Sequence, residues 1–234
     1  MNLLAIDTAT EACSAALYCM GDIRERFELA PRRHAQELLP MIDSLLTEAG
    51  ISKRAIDAIA VGRGPGAFTG VRLAISTAQG LALALDRPVL PISSLAALAQ
   101  PALDAVPDHT PIIAAIDARM GEVYAGVYRG DSLGLVRLLG DEAVGPVATV
   151  PWALPPQSPY AIVGTGWAAF REQIEKRLGS PVYADATRYP RASAVLKLAI
   201  PRYCQGLALD PECLVPSYLR DKIALTEAER AVQR

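Results

Sequence analysis

Three short apolar runs open the chain, and each one ends at a polar or turn residue. The runs cover residues 3–6, 13–19 and 23–29; Asp7 closes the first, and Gly21-Asp22 separates the last two. Apolar runs of this length, bounded by turn residues, are typical of strands joined by tight connections. The pattern therefore predicts a three-stranded β-meander.

A helix and a second strand–helix pair follow the meander. Apolar residues recur three and four positions apart on one face of a helix that Gly50 ends: Leu38, Leu39, Ile42, Leu45, Leu46 and Ala49. Next come a buried strand at 56–61, a glycine-rich loop at 62–66, a helix at about 69–85 and a strand at 89–92. The predicted order is βββαβα, followed by a further strand or a crossover connection.

The same pattern starts again 110 residues later. Residues 5–7 (Ala-Ile-Asp) align without gaps with residues 115–117, where the same three residues stand. A chance match is the alternative in an Ala-rich chain, but an Asp at the end of the same strand in both halves favours duplication. We therefore predict an α/β fold of duplicated βββαβα units, the two-lobed plan of actin-like ATPases and sugar kinases. We expect lobes at 1–108 and 109–234, with late helices free to pack back on the first lobe.

Composition limits the classes of function. Apolar residues make up 51% of the chain and charged residues 21%, which predicts a globular core. A formal net charge of −2 gives no general attraction to a polyanion, and this disfavours independent RNA binding. The helical apolar run between Arg72 and Asp86 has 13 residues, fewer than the ~20 that span a membrane. We therefore expect no membrane contact.

Cysteine and histidine usage predicts reduced thiols and no structural zinc. A zinc site needs four grouped ligands, whereas this sequence has no C-x-x-C pair and only two histidines. The first residues, MNLLAIDTAT, lack the basic and long apolar segments of a signal peptide. We expect a cytoplasmic protein. The cysteines are Cys13, Cys19, Cys204 and Cys213.

The most informative segment is G-P-G-A-F-T-G-V-R at residues 64–72. It combines a strand end, a glycine-rich turn and a helix start that Thr69 can cap. Free amides at the helix start could hold an anion. A tight turn without any ligand is the alternative that the spacing leaves open.

This segment resembles the hallmark of the TsaB family. Three further segments are similar to that family and keep its order along nearly the whole chain: L-A-I-D-T-A-T at 4–10, D-A-R-M-G-E-V-Y at 117–124 and P-S-Y-L-R at 216–220. The resemblance implies a two-lobed actin-like fold and descent alongside TsaD, the transferase that places threonylcarbamoyl on an adenosine of tRNA. It also implies binding to TsaD, with TsaE joining them, homodimers when TsaD is absent, and tRNA contact only through the complex.

The residues argue against metal and nucleophilic chemistry. The transferase paralogue holds its metal with two histidines at H-x-x-x-H spacing, whereas here His34 is followed by Leu38 at the second position. Asp7 and Asp117 could act as ligands, but a lone Asp at a strand end is more often a turn or cap residue. A peptidase nucleophile would need an oriented base, and His34 and His109 lie in polar segments. We predict no metal site and no catalytic residue.

The loops that would face a nucleotide in this fold are predicted to be degenerate. Actin-like ATPases place a glycine soon after the first Asp, whereas residues 8–11 contain none and end in Glu11. We expect no tightly bound cofactor, and a nucleotide shared with a partner remains open. The candidate nucleotide-facing residues are Asp7, Thr8, Gly64, Gly66, Gly164 and Thr165.

The first-lobe helices are the predicted partner surface. The second helix is rich in small residues, which allow close helix packing, and two helices from each protein would form a four-helix bundle. Burial of both helices within their own lobe is the alternative. The predicted interface residues are Leu38, Met41, Ile42, Leu45, Arg72, Ala74, Ile75, Ala78, Leu81 and Ala82. The leading hypothesis is a non-catalytic subunit; an actin-like ATPase or a glycoprotease-like hydrolase is the alternative.

Overall fold

Two five-stranded mixed sheets frame the protein in the computed structural model, which describes residues 1–154 and 158–220. In the first sheet the order is β3-β2-β1-β4-β5, and the central β1 pairs antiparallel with β2 and parallel with β4. The strands are β1 (Leu3–Asp7), β2 (Ala12–Cys19), β3 (Asp22–Leu29), β4 (Ala58–Gly62) and β5 (Val89–Ile92).

The second sheet repeats this topology. Its strands are β6 (Ile112–Arg119), β7 (Glu122–Gly130), β8 (Val136–Pro146), β9 (Ala161–Val163) and β10 (Tyr183–Asp185). Their order is β10-β9-β6-β7-β8, and β6 pairs antiparallel with β7 and parallel with β9, as β1 does with its neighbours. The shift of 110 residues superposes β1 on β6, so the predicted duplicated, actin-like α/β fold is confirmed.

Helices cover both sheets and fill the space between them. Those described are α1 (His34–Ala49), α2 (Phe68–Leu85), α3 (Ser94–Ala99), α4 (Thr165–Leu178) and α5 (Ala192–Cys204). Helices α1 and α2 pack on the outer face of the first sheet and α4 on the outer face of the second. Side chains alternate along β1, so Leu4 and Ile6 face α1 and α2, while Leu3 and Ala5 face the middle layer.

The middle layer joins the two halves of the chain. Helix α3 comes from the first half but packs on β6, β7 and β8, whereas α5 comes from the second half and packs on the first sheet. One apolar cluster therefore contains residues from both sheets. The lobe boundary at residue 108 stays a prediction, and residues 155–157 and 221–234 of the predicted second lobe lie outside the described part.

The outer helices follow the sequence pattern closely. Helix α1 ends at Gly50, which adopts φ 66°, in the left-handed region that favours glycine. Helix α2 has the length and apolar composition of a membrane span, longer than the predicted 13-residue run. One face of α2 nevertheless packs on the first sheet, which indicates a core helix of the lobe.

Candidate functional site

All four motif segments meet at the cleft between the lobes, referred to below as the interlobe cleft. A cavity of about 330 Å³ lies there, lined by residues 9–11, 66–68, 116–119 and 217–220, with Val71 and Tyr124. These stretches are far apart in sequence but, apart from Glu11 and Ile116, they belong to the N-terminal, glycine-rich, second-lobe and C-terminal motifs respectively. The cleft is therefore the candidate site.

The Asp7 side chain does not line this cavity and instead forms hydrogen bonds with neighbouring segments of the chain. Its Oδ1 accepts the Ala9 amide hydrogen at 2.9 Å, and its Oδ2 accepts the Ser94 hydroxyl at 2.7 Å. Burial raises the pKa of the Asp7 carboxyl, although these two hydrogen bonds and the charge of His34 act to lower it. Both oxygens of this buried carboxyl thus bond to groups of the first half of the chain.

The glycine-rich segment packs directly on the turn after β1. A Cβ on Gly66 would lie 2.2 Å from the Ala9 carbonyl oxygen, and one on Gly70 would lie 2.0 Å from the Thr8 carbonyl oxygen. Two hydrogen bonds of 2.7 Å join the same elements: Thr8 Oγ1 donates to the Gly70 carbonyl, and the Ala67 amide donates to the Ala9 carbonyl. At Gly66 and Gly70 glycine is thus needed because backbone meets backbone, which favours the turn without a ligand.

Thr69 does not cap the helix that follows. The N-cap of α2 is Ala67, in an extended conformation and without a side-chain hydrogen bond to the helix. The capping expectation for Thr69 is therefore wrong, because the helix begins one residue earlier than the sequence suggested. The turn is held by its bond to Ala9 rather than by a local cap.

The corresponding loop of the second lobe is also packed inward. Gly164 adopts φ 106°, and a Cβ there would lie 2.4 Å from the Ala115 carbonyl oxygen. Thr165 Oγ1 accepts the Asp117 amide hydrogen at 3.1 Å. Of the six residues predicted to face a nucleotide, Gly66 alone lines the cavity. A nucleotide shared with a partner stays a prediction.

Charges at the cleft are largely matched within the chain. Glu11, which the sequence suggested would repel phosphate, pairs with Arg119 at 2.6 Å, and Arg119 also pairs with Asp117 at 3.1 Å. The Arg119 side chain is 71% exposed, so this pair closes the mouth of the cleft weakly. His34 is half-buried and donates through Nε2 to the Thr10 carbonyl at 2.9 Å.

Arg72 contacts the C-terminal motif. Its Nε donates to the Tyr218 hydroxyl at 2.9 Å, and its guanidinium lies 3.7 Å from the centre of the Phe68 ring. The part of the chain that the structure describes gives Arg72 no carboxylate partner. Sequence reasoning missed Phe68 and Tyr218 as partners of this arginine, although both stand inside the motifs it had singled out.

The residues that could ligate a metal are dispersed. Among residues 1–154 and 158–220, no three His, Cys, Asp or Glu side chains group closely enough to hold an ion. Asp7 and Asp117 each bond to backbone amides in their own strand-end turns. The absence of a metal site stays a prediction.

Comparisons with known proteins decide the family. A family model described as TsaD, tRNA N6-adenosine threonylcarbamoyltransferase, matches residues 28–228. The tRNA threonylcarbamoyladenosine biosynthesis protein TsaB of Escherichia coli strain K12 is 42% identical over 225 residues, 96% of each chain. The chain belongs to the TsaB family.

Other TsaB relatives agree over nearly the full length. The Haemophilus influenzae protein of the same name is 40% identical and aligns over 95% of each chain. A solved structure titled YeaZ from Pseudomonas aeruginosa is 47% identical, with a TM-score of 0.85 over 93% of this chain and 99% of that one. Sequence and fold therefore point to the same family.

Most of the predicted TsaB-family interface residues are not on the surface. Seven lie in the core of the first lobe: Leu38, Ile42, Leu45, Ala74, Ile75, Ala78 and Ala82. Their burial is explained by an apolar stripe at helical spacing, the side that a helix turns toward its own sheet, and their place in an interface stays a prediction. Met41 and Leu81 are partly buried and Arg72 is exposed, so these three stay a prediction.

The opposite side of α1 and α2 carries a different apolar surface, referred to below as the docking face. Leu39 is 51% exposed and Leu83 is 62% exposed. A groove of about 170 Å³ lies between the two helices and is lined by Leu39 of α1 and by Leu81 and Ala84 of α2. The docking face consists of Leu39, Ser76, Gly80, Leu83 and Ala84, all of which are exposed.

Proposed function

We propose that this chain is a non-catalytic subunit of the complex that forms threonylcarbamoyladenosine in tRNA. In this proposal it binds a TsaD-like transferase through the docking face, a TsaE-like ATPase joins the pair, and tRNA is contacted only through the complex. The names of its close relatives support the pathway. The proposal places the chain in the cytoplasm, with its tRNA substrate.

The observation that carries the proposal is the composition of the docking face. Two leucines with large exposed fractions, Leu39 and Leu83, stand on neighbouring helices, and Leu39 also lines the groove between these helices. On α2, Ser76, Gly80 and Ala84 repeat every four residues, so one exposed stripe of that helix is nearly flat. A flat stripe of small residues beside apolar side chains suits close packing of a partner helix.

A second copy of the chain would fit the same face. Two helices from each copy, or two from this chain and two from a transferase, would build a four-helix bundle. A standard interface buries roughly 1,600 Å² in total, so one bound partner would occupy the docking face. Formation of the homodimer and of the heterodimer would then compete for it. The homodimer is therefore expected when the transferase is absent.

Reconstitution of threonylcarbamoyl transfer tests the proposal. Transfer is measured with transferase, ATPase and tRNA, first without this chain and then with it restored, and the expected result is a strict requirement for the chain. Leu83→Glu should abolish the rescue by placing a charge in an apolar contact. The matched control is Leu133→Glu, because Leu133 is 71% exposed but lies in the second lobe.

Two results would count against the proposal. If the Leu83→Glu variant, folded by circular dichroism, rescued transfer as well as the control, the docking face would be misplaced. If the isolated chain hydrolysed ATP in the presence of magnesium, it would be an enzyme rather than a subunit of one. Calorimetry with ATP and magnesium on the isolated chain measures the second directly.

A further inference from the structure

Residues 216–220, referred to below as the strap, cross the interlobe cleft. The strap forms part of the wall of two separate cavities. One is the 330 Å³ cavity already described, and the other is a groove of about 780 Å³ toward β8 and the end of α5. Ser217 and Leu219 line both. The strap is therefore the partition between these two spaces.

The strap is fastened to the first lobe by backbone and aromatic contacts. The Ser217 amide donates to the Arg63 carbonyl at 2.8 Å. The Tyr218 hydroxyl accepts from Arg72 Nε, and the Tyr218 ring stacks on Phe68 with 6.2 Å between ring centroids. These contacts fix the strap to the end of β4 and to the first turns of α2.

Among the described residues, the strap's hydrogen bonds to the second lobe come from Arg220. Arg220 Nη2 donates to the Ala118 carbonyl at 3.1 Å and to the Glu122 carboxylate, at the hairpin between β6 and β7. The guanidinium also lies 6.0 Å from the centre of the Tyr124 ring. The Arg220 side chain is only 22% exposed, so this charge-assisted contact is less screened than a surface ion pair.

We infer that the strap is a clasp that holds the mouth of the interlobe cleft at this opening, with Arg220 as its fastening to the second lobe. The middle layer joins the lobes at depth, so the clasp controls the mouth and not the whole lobe arrangement. Unfastening Arg220 frees the β6–β7 hairpin and joins the two cavities into one passage. This inference does not depend on the proposed function.

Hydrogen exchange on the full chain tests the clasp. In Arg220→Gln, amides of residues 117–124 should exchange roughly tenfold faster, as expected when a hydrogen bond to a charged group that restrains local opening is lost. Amides of α4, on the far side of the second sheet, should keep their rates. Glu122→Gln should give the same local effect, and the double variant should add little to either single variant.

The matched control is Arg119→Gln. Arg119 also forms an ion pair across this cleft, but it is mostly exposed, so its loss should change exchange by less than about twofold. If Arg220→Gln left residues 117–124 at the wild-type rate, or accelerated α4 equally, the clasp would be disproved. Equal effects of Arg119→Gln and Arg220→Gln on exchange would also overturn the clasp, because any ion pair across the cleft would then restrain its mouth equally well.

Discussion

Replacing Gly70 by alanine should destabilise the first lobe severely. The new Cβ would lie 2.0 Å from the Thr8 carbonyl oxygen, about 1 Å inside the closest approach that real Cβ atoms show. Helix α2 and the turn after β1 must separate to relieve this contact. Their separation threatens the buried bond from Thr8 Oγ1 to the Gly70 carbonyl and the bond from the Ala67 amide to the Ala9 carbonyl.

The magnitude follows from these contacts. Overpacking costs about 1–3 kcal/mol, and each lost hydrogen bond about 1 kcal/mol. The higher helix propensity of alanine returns about 0.5–1 kcal/mol, so Gly70→Ala should lower the free energy of unfolding by about 2–4 kcal/mol. For a chain of this size that is a fall in Tm of about 5–15 °C.

Gly80→Ala is the matched control, since it makes the same change in the same helix. No atom lies within 4 Å of a Cβ built on Gly80, so only helix propensity changes and stability should rise by about 0.5–1 kcal/mol. Urea unfolding followed by circular dichroism, at one fixed chain concentration because assembly alters apparent stability, measures both variants. If Gly70→Ala unfolded within about 0.5 kcal/mol of wild type, the packing account of the glycine-rich motif would be refuted.

Two further predictions concern buried titratable groups. Burial raises the pKa of Asp7 above its ordinary 3.8, so the native state holds an extra proton and loses stability as pH rises from that value toward the raised pKa. Over that interval the free energy of unfolding of Asp7→Asn should therefore rise relative to that of wild type. Urea unfolding at a series of pH values measures both, and a difference between them that did not change with pH would contradict the prediction. Burial also raises the pKa of Cys13 to about 12, and Cys19 is buried. At pH 8 a thiol reagent should modify the exposed Cys204 and Cys213 rapidly, and rapid labelling of all four thiols in native protein would refute this burial pattern.

The order of elements could be predicted because burial leaves a periodic trace in the sequence. The apolar run of β1 is buried on both faces, and the stripe of α1 that includes Leu45 and Leu46 packs on the first sheet. The second copy was detectable because Asp7, the last residue of β1, aligns with Asp117, which lies two residues before the end of the equivalent strand β6. Such signals are patterns in the sequence itself, so they can be recognised without knowledge of the tertiary contacts.

The proposed docking face could not be predicted in the same way. An apolar stripe at helical spacing has the same pattern whether it packs on its own sheet or on another protein, and here it packs on its own sheet. The residues that distinguish the two cases are leucines away from that stripe. Leu39 and Leu83 are exposed away from that stripe, and only the fold shows that Leu39 lines a groove between the two helices.

The roles of the glycines were hidden for another reason. Glycine in a turn before a helix is compatible with an anion site and with close backbone packing, and the sequence cannot say which atoms approach. The deciding neighbours of Gly70 and Gly66 are Thr8 and Ala9, about sixty residues away in the chain. Likewise, nothing local indicates that Arg72 contacts Tyr218.

One helix links the interlobe cleft to the docking face. The first turn of α2 packs on the turn after β1 and, through Phe68 and Arg72, carries the strap at the cleft. The remaining exposed length of α2 presents Ser76, Gly80 and Leu83 to solvent. The same helix therefore contributes its first turns to the cleft mouth and its exposed stripe to the proposed docking face.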